Sequence, residues 1–242
     1  MKAWMIAILL WLICARGFAA GVDKSPSSTE SVDAILPQME ALYIDLHQHP
    51  ELSFHEQRTA AAMADGLRKL GFDVATGVGK VGVVGVLKNG AGPTVMLRTE
   101  LDALPVKEQT GLAYASQVTT HNDAGAEVPV AHACGHDLHM SAWMGTATLL
   151  SQARDQWRGT LVLIGQPAEE TVGGASSMIA DGLYTRFPKP DYVIAIHDES
   201  ELPAGKVGYT PGYSHANVNS VDITIYGKAA TAPCRRRQLT RS

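Results

Sequence analysis

The sequence predicts an α/β fold with a mostly parallel central sheet flanked by helices. Three observations carry this. Short β-branched runs alternate with stretches of helical spacing. Polar clusters rich in Cys, His and Glu follow directly after several apolar runs, where open α/β sheets bind ligands. No internal repeat or low-complexity tract interrupts the alternation.

Met39, Leu42, Tyr43 and Leu46 recur at helical spacing and predict a first helix over Val32–Gln48. Ser53 followed by Glu56 reads as a capping box opening a second helix. Phe54, Met63, Leu67 and Leu70 form its apolar side, and Gly71 closes it. Val81–Leu87 and Thr94–Leu97 are short apolar runs. Asn89-Gly90-Ala91-Gly92-Pro93 between them predicts strand, turn, strand. Asp137–Ala153 is predicted helical and Leu161–Gly165 a buried strand. Gly174–Asp181 reads as a short helix ended by Gly182, and Tyr192–Ile196 as another buried strand. Val221–Tyr226 alternates like a half-exposed strand.

The chain has 242 residues, 45% hydrophobic and 18% charged, which is enough apolar content for a packed core. Its formal net charge of −4 leaves no electrostatic footprint for nucleic acid. Cys14, Cys134 and Cys234 are too few and too scattered for a disulfide framework. Lys2, the apolar run Trp4–Cys14 and the small residues around Ala19-Ala20 predict a signal peptide over 1–20. The product is then secreted or periplasmic and free of the membrane after cleavage. Residues 21–31 are polar and read as a linker.

Four clusters carry chemistry. His132-Ala133-Cys134-Gly135-His136-Asp137-Leu138-His139 stands at the mouth of a predicted helix. Gln166-Pro167-Ala168-Glu169-Glu170 follows strand Leu161–Gly165, and His197 follows Tyr192–Ile196. Arg98-Thr99-Glu100-Leu101-Asp102 follows Thr94–Leu97. Cys with His selects zinc or a related first-row metal. A competing reading makes Cys134 a nucleophile with His136 as base. It leaves Glu169, Glu170 and His197 without a task.

The motifs LHQHPELSFHE (Leu46–Glu56), LRTELDALP (Leu97–Pro105), HACGHDLHM (His132–Met140), GQPAEE (Gly165–Glu170) and GGASSMIADG (Gly173–Gly182) resemble the M20 peptidase family. The likeness is to its amidohydrolases, which include hippurate hydrolases and auxin-conjugate hydrolases, and it covers roughly residues 32–228. It implies a zinc-peptidase-like catalytic domain over 32–220, holding two divalent ions: zinc, or manganese, cobalt or nickel. Cys134 would bridge the ions, His136 and Glu170 would complete one ligand set, and His197 would bind the other ion. Glu169 would be general base and acid, with Asp102 behind the ligands. His132 and His139 would support the loop. Glu100 stands where many relatives have Asp. The implied substrate is a small N-acyl amino acid, with a dipeptidase or carboxypeptidase, or a non-catalytic metal-binding fragment, as the alternatives, and relatives are homodimers.

The resemblance further implies that 221–228 opens an inserted dimerisation domain. After Gly227-Lys228 the text departs from the family pattern, so 229–242 reads as an aberrant basic tail. Codons compatible with the tail, read after one inserted G, encode Gly-Gly-His-Gly-Ala-Met-Pro, the family motif. A one-nucleotide shift after Lys228 is therefore expected. The catalytic portion would then be incomplete, the dimerisation domain missing and activity impaired.

Overall fold

The computed structural model describes residues 29–213 and Ile223. The expected signal segment, strand 221–228 apart from Ile223, and the tail 229–242 lie outside the described residues. The chain divides into two compact units, the first ending at Asp198 and the second beginning at Glu199. In the second, the Leu202 amide bonds the Glu199 carbonyl and the Lys206 amide bonds the Pro203 carbonyl, two local turns in exposed chain. Every residue discussed below belongs to the first.

Helix α1 spans Thr29–Gln48, so its first turn takes in Thr29–Ser31, which the sequence suggested as linker. Helix α2 is Gln57–Lys69, followed by strands β1 (Asp73–Val78), β2 (Gly82–Asn89) and β3 (Thr94–Glu100). Short strands β4 (Thr119–His121) and β5 (Glu127–Pro129) pair as a separate ribbon. Helix α3 (His136–Gln152), β6 (Gly159–Gln166), α4 (Gly174–Ala180), α5 (Leu183–Arg186) and β7 (Tyr192–Ala195) complete the unit.

The five-stranded sheet has the order β1-β2-β6-β3-β7. It is mixed. β6 runs parallel to β3, and β3 parallel to β7, while β1, β2 and β6 pair antiparallel. The parallel expectation therefore holds for the three strands that end at the chemistry-bearing clusters. The antiparallel part comes from the β1–β2 hairpin, whose turn places Gly79 and Lys80 at φ 64° and 86°. β2 and β3 are not neighbours despite the short turn between them. β6 lies between them, because its apolar run must be covered on both edges and both faces.

β6 shows why the sheet is central. Leu161 and Leu163 face a core built with Leu46, Met63, Leu67 and Trp143 from the three long helices. Val162 and Ile164 face a second core with Val84, Met96, Met178 and Leu183. The two-residue period of a strand thus feeds both layers. Leu163→Ala leaves a void under the helical layer, and a loss of about 2–5 kcal/mol is expected in urea denaturation.

His47 ties α1 to the start of α3: its Nδ1 lies 2.6 Å from Asp137 Oδ2 and its Nε2 3.0 Å from Glu108 Oε1. β7 corrects one expectation. Tyr192, Val193, Ile194 and Ile196 are exposed, not buried. Among the described residues the strand is the last in the sheet and pairs only with β3. An apolar run reports what a strand could bury, not whether the described residues cover it.

Candidate metal centre

Because β3, β6 and β7 run parallel, their carboxyl ends lie at one edge of the sheet. β3 delivers Glu100 and Asp102, β6 delivers Glu169 and Glu170, and β7 delivers His197 and Asp198. The turn into α3 brings Cys134 and His136 to the same place. Gly135 makes that turn possible. It caps α3 in the left-handed region at φ 70°, and a Cβ there would lie 2.6 Å from Asp198 Oδ1.

Candidate ligand atoms of Cys134, His136 and His197 lie within 4.8 Å of one another, and so do those of His136, Glu169 and Glu170. His136 is common to both groups. Its buried ring donates from Nδ1 to the Asp102 carbonyl at 2.7 Å, so in the neutral ring that a metal selects Nε2 is the nitrogen bearing the electron pair. Nε2 stands 3.8 Å from Glu169 Oε2 and 3.9 Å from Glu170 Oε1. Among the described residues neither His136 Nε2 nor Glu170 Oε1 has a hydrogen-bond partner, though both atoms are buried. Such atoms are costly to leave unsatisfied. A cation between them would satisfy both, so the residues present fit a metal. His197 donates from Nδ1 to the Asp198 carbonyl at 2.6 Å, and its Nε2 lies 3.4 Å from Cys134 Sγ.

Asp102 organises the loop behind these groups. It is fully buried. Oδ1 accepts the Glu169 amide at 3.0 Å, and Oδ2 accepts the Glu170 amide at 3.0 Å and the Ser53 hydroxyl at 2.6 Å. Burial alone would raise its pKa, but hydrogen bonds from His136, Ser53, Glu170 and Glu169 hold it below the usual carboxylate range. One buried carboxylate therefore fixes two adjacent backbone amides, and the Glu169 and Glu170 side chains point from a set frame.

The electrostatics also call for a cation. Burial, together with the carboxylates of Glu170, Glu169 and Asp198, pushes the Cys134 thiol up to about 12. The His136 imidazole is raised to about 9: burial opposes the charge, and Asp102 and Glu100 outweigh it. A divalent ion inverts this local logic and deprotonates a coordinating thiol. The 3.4 Å Cys134–His197 contact could also suggest a nucleophilic dyad. The thiol, however, is pushed away from the thiolate form such a nucleophile needs, and a dyad leaves His136 Nε2 and Glu170 Oε1 orphaned.

The structure thus brings Cys134, His136, Glu169, Glu170 and His197 together, with Asp102 beneath them. His132 is buried, with a pKa lowered to about 4 by burial, and neither ring nitrogen has a partner among the described residues. Ser53 and Glu56 correct a sequence expectation. They do not form a capping box, because α2 starts at Gln57 with no side-chain cap. Ser53 is taken by Asp102, and Glu56 Oε1 accepts the Ala168 amide at 2.7 Å. The pattern Ser-x-x-Glu was visible, but its partners lie far along the chain.

Glu56 carries a pH prediction. Burial raises its pKa from 4.5 to about 7, against hydrogen bonds from Ala168 and nearby backbone. Below about pH 4.5 the group is protonated in both folded and unfolded chains. Between about 4.5 and 7 the folded chain keeps a proton that the unfolded chain releases, so stability falls as pH rises, by up to about 3 kcal/mol. Glu56→Gln keeps an acceptor for Ala168 and should remove this slope. Urea denaturation at pH 5 and pH 8 checks it; equal slopes in the two proteins would sink the idea.

The profile of Peptidase family M20/M25/M40 matches residues 96–242. N-acetyl-L-cysteine deacetylase of Bacillus subtilis (strain 168) is 35% identical over 210 residues, covering 86% of this chain and 48% of its own. Thermostable carboxypeptidase 1 of Saccharolobus solfataricus is 40% identical over 187 residues, covering 76% and 44%. The crystal structure of Bacillus subtilis YXEP, described as a dinuclear metal binding peptidase from M20 family, superposes with TM-score 0.62 at 34% identity. It covers 71% of this chain and 45% of that one. The chain spans about half the length of the curated relatives it matches.

Proposed function

This chain belongs to Peptidase family M20/M25/M40, and on that premise we propose that it holds two divalent metal ions and hydrolyses the amide bond of an N-acyl amino acid. The observation that carries the reading is His136, whose buried Nε2 has no partner among the described residues and which belongs to three groups of candidate ligands. Cys134, His136, Glu170 and His197 would hold the ions, with His136 and Glu170 serving one, His197 the other and Cys134 shared between them. Zinc suits the Cys and His donors, with manganese, cobalt and nickel as competitors.

When bound, the ion pair supplies Lewis acidity that acidifies a water and polarises the amide carbonyl. The chain's own residues do the rest. Glu169 is anchored through its backbone by Asp102, while its side chain is 38% exposed at the mouth of the site. Its carboxylate is free to take a proton from the attacking water as the new C–O bond forms. It then delivers that proton to the departing nitrogen as the C–N bond breaks, and returns to the carboxylate form. The products are a carboxylic acid and a free amino acid. Glu170, held toward His136, cannot share this task, which is why two adjacent glutamates are needed.

The deacetylase relative supports an N-acyl amino acid substrate. The carboxypeptidase relative favours a second reading, in which the same chemistry releases a C-terminal residue from a peptide. The signal-like start Lys2–Ala20 supports a secreted or periplasmic mature chain. Purified chain loaded with zinc, manganese or cobalt should release amino acid from N-acetyl-L-cysteine or N-benzoylglycine, lose that activity in chelator and regain it on metal return. Release from a dipeptide alone would select the second reading, and turnover insensitive to chelator would overturn both.

A further inference from the structure

His139 has no part in the chemistry above, yet it sits between the two candidate histidine ligands. It is buried in the first turn of α3. Its ring centroid lies 5.7 Å from that of His136 and 4.7 Å from that of His197. Nδ1 meets Glu100 Oε2 at 3.2 Å. With Nδ1 donating there, Nε2 accepts the Asp198 backbone amide at 2.9 Å, and Asp198 Oδ1 lies 3.0 Å from the same nitrogen. The Asp198 carbonyl in turn accepts His197 Nδ1. A continuous path therefore runs from the end of β3, through α3, to the residue that aims His197.

The two histidine ligands are fixed by different means. His136 is buried and anchored on the Asp102 carbonyl. His197 follows the exposed strand β7, and its own side chain is 56% exposed. What holds its ring is the Asp198 turn and the His139 face. Gly135 leaves the space that Asp198 occupies, since a Cβ there would meet the carboxylate.

We propose that His139 is a positioning residue for His197: it holds the Asp198 turn so that His197 Nε2 faces Cys134 Sγ. This rests on the metal-centre reading above. Without His139, the ion on the His197 side is held more weakly, while the ion on the His136–Glu170 side is not.

The test is calorimetric titration of Zn²⁺ into metal-free 242-residue chain and its variants, with far-UV circular dichroism as a check of folding. In His139→Ala one ion should weaken by about 10–100-fold, the usual worth of such a partner, and the other should keep its affinity. His139→Gln, whose amide can reach Asp198, should recover part of the loss. A general packing defect would weaken both ions alike and show no such rescue. Asp198→Ala alters a half-exposed side chain and should weaken the same ion by a smaller factor, so it decides the matter if His139→Ala does not fold. Weakening spread over both ions, or absent from the folded variants, overturns the assignment. A parent chain that takes up no ion overturns the metal-centre reading itself, and this inference with it.

Discussion

Glu169→Gln should cut hydrolysis of an N-acyl amino acid by about 10²- to 10⁴-fold, the usual worth of a positioned proton carrier, while metal uptake stays near that of the parent. The separation of these effects is the informative part. Glu169 is anchored to Asp102 by its backbone amide, which glutamine retains. Its side chain is the more exposed of the two glutamates, at 38% against 19% for Glu170. Glutamine matches its shape but cannot take up the proton. Metal content by elemental analysis, beside initial rates, checks the prediction. A variant that loses metal and rate together would make Glu169 a ligand. A variant with parental rate would remove it from the chemistry.

His136→Ala should have the largest effect on metal binding, beyond the about 10–100-fold that outer partners contribute. Among the described residues His136 belongs to three of the four groups of candidate ligand atoms, more than any other residue. Its removal opens both sides of the centre. A ligand that binds only the folded chain stabilises it by about 2.7 kcal/mol at one hundred times its dissociation constant. The parent should therefore melt at a higher temperature with added Zn²⁺, and His136→Ala should not. An equal rise in both proteins would place the metal elsewhere.

Much of this site was legible because its donors sit next to strong local signals. Cys134 and His136 flank a glycine at a helix start, and Glu169-Glu170 and His197 each follow an apolar run. The parallel order of β3, β6 and β7 then brings those run ends to one edge, as the alternation of strands and helices suggested. Where the sequence misled, long-range contacts decided the outcome. Ser53 and Glu56 have the spacing of a helix cap, yet their partners are Asp102 and Ala168. Nothing local distinguishes a glutamate that will meet an amide 112 residues away.

The remaining gaps have the same origin. The β1–β2 hairpin depends on two left-handed residues, one of them Lys80, which does not announce such a turn. The exposure of β7 depends on what lies beside it, and hydrophobicity alone does not report that. His139 looked like support for its own loop. Its reach to Glu100 and Asp198 joins three segments that are distant in sequence.

The most direct measurement is titration of metal-free chain with Co²⁺, followed by absorbance, with Cys134→Ser as the control. The expected result is saturation at two ions per chain, a thiolate-to-cobalt charge-transfer band, and proton release as the thiol binds. Cys134→Ser should lose that band and bind at least one ion more weakly. No charge-transfer band, with the same uptake in Cys134→Ser as in the parent, would contradict the metal centre described here.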